Sequence, residues 1–262
     1  MDKPKFRCSS LGHLMTEPKA AKDKESGNLS EGARTHVVDV WTSWKYKRNE
    51  DVYSKYIEKG NQLEEDAITL VSLQSNVFHK KNERTLENNW ICGTPDLFIG
   101  QSIEQAEFIE DTKCSWDVFT FNRTKHKKLN DLYYWQMQGY MMLTGAKEAR
   151  LRYCLLNATD DLIRDELRKL GYAMRLVDFE ETKEYIDRAA KVERNMIYDL
   201  AAFRKRYPNF DLHLNVAEWK FDIEPENRLF TIVIPRNESD IELIKIKVKK
   251  AWEYIKTVLD KN

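Results

Sequence analysis

The sequence predicts an α/β (α+β) protein in which helices flank a mixed central sheet, and three observations carry that expectation. Glycine and proline number 9 and 6 in 262 residues, about half the usual share, which disfavours a many-stranded sandwich with its frequent turns. Apolar residues recur at helical spacing before residue 72, over 130–143 and through much of the chain after Asp160. Between these stretches, residues 77–116 break into short extended segments, and a further strand is expected near Ala149–Leu156. Helices, a strand meander, a helix, a strand and more helices, in that order, describe a single domain over 1–262.

Composition narrows the function classes. Hydrophobic residues make up 42%, with 7 Trp, 12 Tyr and 11 Phe, enough for a core and too many for a disordered chain. No apolar run approaches the ~18 residues of a membrane span, so no membrane partner is expected. The opening MDKPKFRCSSLGHLM lacks a secretory apolar stretch. Cysteines 8, 92, 114 and 154 share no short spacing, which fits free thiols in a reducing, cytoplasmic compartment rather than a zinc knuckle. Lys plus Arg equals Asp plus Glu at 43 each, so no global basic field announces nucleic acid. Residues 1–48 nevertheless carry ten Lys/Arg against six Asp/Glu, and Arg123-Thr124-Lys125-His126-Lys127-Lys128 is a compact basic run. A solvated face explains many such runs.

Taken in order, Ser30 is expected to begin a helix with Val37, Val40, Trp41 and Trp44 at helical spacing, within an N-terminal helical arm over 1–50. The core over 51–157 opens with a helix from about Val52 to Ser72. Its face carries Ile57, Ala67, Ile68 and Val71, with Gly60 beside them and Glu64 in the middle, while Glu65 is turned about 100° away. A carboxylate on such a stripe is costly unless a cation or metal pairs with it; a place at the stripe's edge or an Arg partner is the plainer account. Three extended segments follow: NVFHKKNE, NNWICGTPDLFIG and AEFIEDTKCSW. In the last, alternation puts Ile109, Asp111, Lys113 and Ser115 on one face and Phe108, Glu110, Thr112, Cys114 and Trp116 on the other. Taken alone, Asp111 and Lys113 also fit a surface ion pair.

Pro95-Asp96 inside an apolar strand suggests an edge or a bulge. It is either a turn or a carboxylate delivered from a neighbouring strand towards Asp111. Between Asn130 and Leu143 a helix is expected, with Leu132, Tyr133, Tyr140 and Leu143 as its apolar stripe and Gln136 within it. A buried Gln needs partners, from a structural network or a ligand. Residues 158–262 read as a helical C-terminal elaboration, with a strand pair near Trp219–Ile234 and a last helix near Glu238–Leu259. Together, Glu64, Asp96, Asp111 and Lys113 form one constellation from a helix and two adjacent strands. Clustered carboxylates repel unless hard cations sit among them, which points to magnesium or manganese. A lysine beside such ions can orient or deprotonate a water, or stabilise charge on a phosphate.

Pro95-Asp96, fourteen intervening residues and Asp111-Thr112-Lys113 resemble the PD-(D/E)XK nuclease signature. Gly60-x-x-x-Glu64-x-x-Ala67 before it, and Tyr133-x-x-Gln136-x-Gln138-x-x-Met141-x-x-Thr144-Gly145 after it, resemble the flanking helices of the lambda exonuclease/YqaJ-like viral recombinase family. The resemblance implies a restriction-endonuclease-like core and a Mg2+-dependent deoxyribonuclease yielding 5′-phosphates, with Mn2+ able to substitute. It implies metal ligation by Glu64, Asp96, Asp111 and the Thr112 backbone carbonyl. Lys113 would position or activate the attacking water, with Gln136 steadying it or the lysine. Arg7 and Ser10 would hold a 5′ phosphate. The segment holding Arg123, Lys125, Lys127 and Lys128 follows the active-site strand and suits a phosphate-tracking loop.

Double-stranded DNA ends resected 5′→3′ in phage-type recombination, a single-strand annealing partner, a homo-oligomeric ring and a bacterial host cytoplasm are further implications of the family. An Fe–S cluster, present in another branch, is not expected, because no cysteine lies beyond Cys154. A structure- or site-specific endonuclease and a non-catalytic DNA-binding subunit remain the alternatives.

Overall fold

The structure, a computed structural model, describes residues 3–51, 53–79, 81–176, 182–208, 221 and 223–261. Short strands β1 (Phe6–Arg7), β2 (Leu86–Glu87) and β3 (Ile91–Gly93) make a small sheet in the order β1-β3-β2. The larger sheet holds β4 (Leu97–Gly100), β5 (Ala106–Cys114), β6 (Glu148–Cys154) and β7 (Leu229–Pro235), in sequence order. Its central pair β5–β6 is parallel, and β4 and β7 are antiparallel edges. A parallel pair needs a crossover. Two helices supply it.

The helices are α1 (Leu11–Leu14), α2 (Ala21–Glu25), α3 (Glu31–Tyr46), α4 (Lys55–Gln62), α5 (Glu64–Ser75), α6 (Val118–Lys125), α7 (Asp131–Thr144), α8 (Asp160–Ala173), α9 (Lys183–Arg194), α10 (Leu200–Arg206) and α11 (Glu238–Tyr254). Local chemistry sets several ends. Ser30 Oγ accepts the Ala33 N–H at 3.0 Å, and Asn130 Oδ1 accepts that of Leu132 at 2.9 Å, the N-cap arrangement that satisfies orphan helix donors. Gly145 ends α7 at φ 79°, with its N–H on the Met141 carbonyl, the left-handed stop a glycine adopts without strain.

The crossover helix α7 lies between the two sheets. From Gln136 to Met141 every residue is buried, so the helix has no solvated stripe over that stretch. Met137 and Met141 join Phe6, Leu11, Ile91, Ile109 and Leu151 in the main core. Close approach to β3 depends on Gly93: a Cβ there would lie 2.7 Å from Tyr140 Cε1 and 2.9 Å from Cys8 Sγ. A second cluster, of Trp116, Leu162, Ile163, Met196, Ile197 and Phe203, sits under α8–α10. β7 and α11 belong to the main core through Ile234, Ile244, Val248 and Ala251. Among the described residues no helix is long and apolar enough to cross a membrane.

Four expectations differ in detail. The helix expected over 52–72 is broken at Leu63 (φ −111°, ψ 12°), where a buried leucine turns inward. That break changes the phase, so Ile57 is 49% exposed while Ala67, Ile68 and Val71 are buried. NVFHKKNE forms no strand among its described residues; pairing begins at Leu86. The basic run begins on a helix rather than in a loop, because Asp117 caps α6 and carries it to Lys125. Of the strand pair near 219–234, Leu229–Pro235 is a strand, Pro225–Arg228 is a 3-10 turn opened by its proline, and residues 219, 220 and 222 lie outside the described residues.

Candidate active site

A cleft of about 950 Å³ opens between α4, the C-terminal half of β5 and the N-terminal half of α7. Glu64, Asp96, Asp111, Thr112, Lys113 and Gln136 all line it. Register explains the meeting of the two strands. Leu97 pairs with Glu110, which sets Asp96 across from Asp111 just before β4 begins. With no paired residue beyond it, Asp96 Oδ2 accepts both the Thr112 N–H at 2.8 Å and the Thr112 hydroxyl at 3.1 Å. A strand residue directs its N–H and C=O to the same side, so the Thr112 carbonyl also faces the Asp96 side.

Alternation along β5 delivers Asp111 and Lys113 to the cleft, where Lys113 Nζ is ion-paired to Asp111 Oδ2. Asp111 is 1% exposed. Gln136 Nε2 donates to the other carboxylate oxygen, Oδ1, at 3.1 Å and to the Tyr140 hydroxyl at 3.1 Å. The buried Gln of the apolar helix thus has a network for its partner. The Tyr133 ring, whose centroid lies 4.9 Å from Lys113 Nζ, completes the lysine's surroundings. On the far face Glu110 is fully buried and paired with Arg152, with His79 Nδ1 3.3 Å away. It serves the sheet and not the cleft.

Glu64 occupies the first turn of α5, with its carboxylate on Lys81 Nζ at 2.7 Å. Glu65 is turned outward, its side chain 78% exposed against 29% for Glu64. Lys81 was not expected from the sequence, because it reaches Glu64 through a long irregular connection. Among the described residues no group of three His, Cys, Asp or Glu side chains is gathered closely enough to hold a metal ion. Asp96, Asp111 and the Thr112 carbonyl stand together, while Glu64 lines the same cleft and is drawn aside by its lysine.

The electrostatics bear on what this donor set could take. Burial, and then the neighbouring Asp111 carboxylate, raise the Asp96 carboxyl from its ordinary value to about 7. Burial opposes the charge on Lys113, yet Asp111 and Asp96 outweigh it and hold its ammonium above the usual lysine value. Asp111 Oδ2 is buried, with the Lys113 ammonium against it. Two carboxylates side by side in a dry site, one held by a lysine and one keeping its proton, are relieved by a hard cation with oxygen ligands. The residues present fit magnesium or manganese.

The other expected residues divide. Arg7 lines the cleft together with Ser9, whereas Ser10 turns its hydroxyl back to the Arg7 carbonyl at 3.3 Å and is replaced at the cleft by its neighbour. Lys127 and Lys128 line the cleft; Arg123 and Lys125, in the last turn of α6, do not. Sequence reasoning missed Lys59, which is fully buried and donates to the carbonyls of Trp116 (2.8 Å) and Leu156 (3.3 Å). It thereby fixes α4 to the chain segments leaving β5 and β6. A lysine beside Gly60 on an amphipathic helix carries no mark that it will be buried.

The overall structure resembles that of a phage-related exonuclease from Haemophilus somnus 129PT, with a TM-score of 0.65 and 26% identity over 98% of this chain and 96% of that one. The chain has the fold of a phage-type exonuclease. This exonuclease fold is shared with the alkaline exonuclease LHK-Exo from Laribacter hongkongensis (TM-score 0.58, 14% identity, 98% of this chain and 91% of that one). LHK-Exo in complex with dAMP superposes similarly (TM-score 0.57, 14% identity, the same shares of the two chains). No protein-family model and no curated protein matches the sequence.

Proposed function

We propose that this chain is a metal-dependent DNA exonuclease acting on double-stranded ends. The observation that carries the reading is the buried arrangement of Asp96, Asp111 and Lys113, tied by Thr112 and Gln136, in a cleft of the exonuclease fold. Asp96, Asp111 and the Thr112 carbonyl would hold the ion, with Glu64 joining once its carboxylate leaves Lys81. Bound there, a magnesium ion would supply Lewis-acid stabilisation of the charge that develops on the phosphate. Lys113, held as an ammonium, hydrogen-bonds and orients the attacking water and meets negative charge on the scissile phosphate. Its proton affinity would fall as the two carboxylates are neutralised, so that the ammonium could release its proton to solvent and, as the neutral amine, take the water's proton. Gln136 keeps Asp111 in one rotamer through Oδ1. Arg7, Ser9, Lys127 and Lys128 line the cleft, so a phosphodiester strand lying along it meets donors at both sides.

The products are 5′-phosphates, the polarity is 5′→3′, and the setting is phage-type recombination in a bacterial cytoplasm with an annealing protein as partner and a homo-oligomer as the working form. These finer points rest on the three motifs and on the resemblance in fold. Digestion of linear duplex labelled at either 5′ or 3′ ends, beside covalently closed circular DNA, tests the reading. Early release of the 5′ label with an untouched circle is expected with Mg2+, and none with EDTA. A nicked or linearised circle would move the site to an endonuclease, and no cutting under any divalent ion would leave a DNA-binding subunit.

A further inference from the structure

A second groove, of about 690 Å³, lies away from the catalytic cleft and is built from tryptophans and lysines. Trp90, just before β3, stacks on Trp252 of α11 with ring centroids 5.2 Å apart and planes 13° from parallel. Trp44 of α3 forms another wall. Each of these three indoles carries an ammonium over its face: Lys249 on Trp90, Lys3 on Trp252 and Lys47 on Trp44, at 5.3, 4.5 and 5.7 Å. Lys245 and Lys247 of α11 are each paired with a carboxylate, whereas Lys3, Lys249 and Lys256 have none within 4 Å among the described residues. Of the groove's two acids, Asp260 is engaged by Trp41 Nε1 at 2.9 Å, which leaves Glu253 against three unpaired lysines.

This positive aromatic surface gives the N-terminal excess of positive charge a place that the catalytic site does not use. It is anchored to the catalytic scaffold. Trp252 Nε1 donates to the Pro4 carbonyl at 2.9 Å, and β1 runs from there to Arg7 at the cleft. Arg7 lies four positions after Lys3, a span of at most about 14 Å at strand rise. Trp90 leads through β3 into Pro95-Asp96 in the same way.

We propose that this groove binds unpaired nucleotides of single-stranded DNA. Trp90 and Trp252 cover one face of each other, so an unpaired base of any sequence stacks on an outer indole face as the lysine over it swings to the adjoining phosphate, whereas a duplex, whose base faces are already stacked, offers neither the π-face nor the fit. A neutral apolar partner would bury the three ammonium groups without compensation. The proposal deepens the exonuclease reading by giving the single strand at a processed end a holding site beside the cleft. Its test does not require cleavage.

The full chain in EDTA is titrated with fluorescein-labelled oligo(dT), following anisotropy and quenching of tryptophan emission at several salt concentrations. Trp252→Leu, which keeps apolar volume but removes the stacking face, is expected to weaken binding on the order of tenfold. The double variant Lys249→Glu/Lys256→Glu, altered at solvated charges, should weaken it similarly and flatten the salt dependence. Unchanged affinity and quenching in both variants overturn the proposal. So does a change in sedimentation of either variant with unchanged oligo(dT) affinity, which would make the groove a contact between copies of the chain. Failure of the nuclease reading shows separately, as absence of cutting by the unaltered chain with any divalent ion.

Discussion

Replacing Gln136 with Leu probes the link between the fold and the reactive carboxylate. The side chain is 5% exposed, and its amide nitrogen is shared between Asp111 Oδ1 and the Tyr140 hydroxyl, each at 3.1 Å. A hydrogen bond to a charged group contributes about 1.5–3 kcal/mol and one to a neutral group about 1 kcal/mol. Leucine offsets part of that loss by burying apolar surface of similar volume, about 1 kcal/mol. The expected net cost is about 1.5–3 kcal/mol, a fall in Tm of about 3–12 °C for a chain of this size. Differential scanning fluorimetry in EDTA reads it directly. Single-turnover release of nucleotides should fall about 10–100-fold, since each 1.4 kcal/mol of misplaced transition-state binding is tenfold in rate. Gln136→Glu should be worse on both counts, because it sets a third carboxylate beside Asp111 and Asp96. A Gln136→Leu variant that melts within about 1 °C of the parent, at most about 0.5 kcal/mol, and cuts normally would refute the reasoning, because the Gln136–Asp111 bond would then hold nothing in place.

Three further outcomes are expected. Glu64→Gln should cost activity beyond the about 10–100-fold typical of an outer-shell loss, while Glu65→Gln on the exposed face stays near the parent; the reverse order in a cleavage assay would contradict the helix phase. Because burial and Asp111 raise Asp96 to about 7, the metal-free folded chain keeps a proton that the unfolded chain has lost. Its stability therefore falls as pH rises from about 4 to about 7, and Mn2+ affinity by calorimetry should climb over the upper part of that range and level off above it; flat affinity across pH 6–8 would contradict this. Burial lowers Lys59 to about 8, so the unfolded chain binds its proton more tightly and this group makes stability rise between about pH 8 and 10.5. Lys59→Met should remove that rise in melting temperature and cost about 1–3 kcal/mol at neutral pH, since the Trp116 and Leu156 carbonyls lose their donor.

Much of the site was legible because its signals are local. Asp111 and Lys113 share a face through strand alternation alone, and Glu110 on the opposite face is buried against Arg152, away from the cleft. Gln136 was conspicuous as an amide on an apolar helix, and the step from Pro95-Asp96 to an edge strand holds, since β4 is an edge of the larger sheet. The features that escaped depend on long-range packing. The break at Leu63 follows from the leucine's burial, which no local propensity announces, and it moved Ile57 from the expected core to the cleft wall. The apolar stripe expected on α7 widened to the whole circumference from Gln136 to Met141 because sheet and helices cover it from both sides. Lys81 on Glu64 and Lys59 on two carbonyls are pairings between distant segments, and a lysine in sequence reads as solvated. The aromatic groove joins Pro4, Trp90 and Trp252 across 248 positions, so only the folded chain displays it.

The most direct test of catalysis at this site is the rate of nucleotide release from a linear duplex with Mg2+ by the parent chain and by Lys113→Ala, measured beside binding of the same duplex in EDTA. Lys113 faces the cleft from a strand end, so the variant should fold and bind the duplex while releasing no nucleotide above the EDTA background. Normal release by Lys113→Ala would place the chemistry elsewhere.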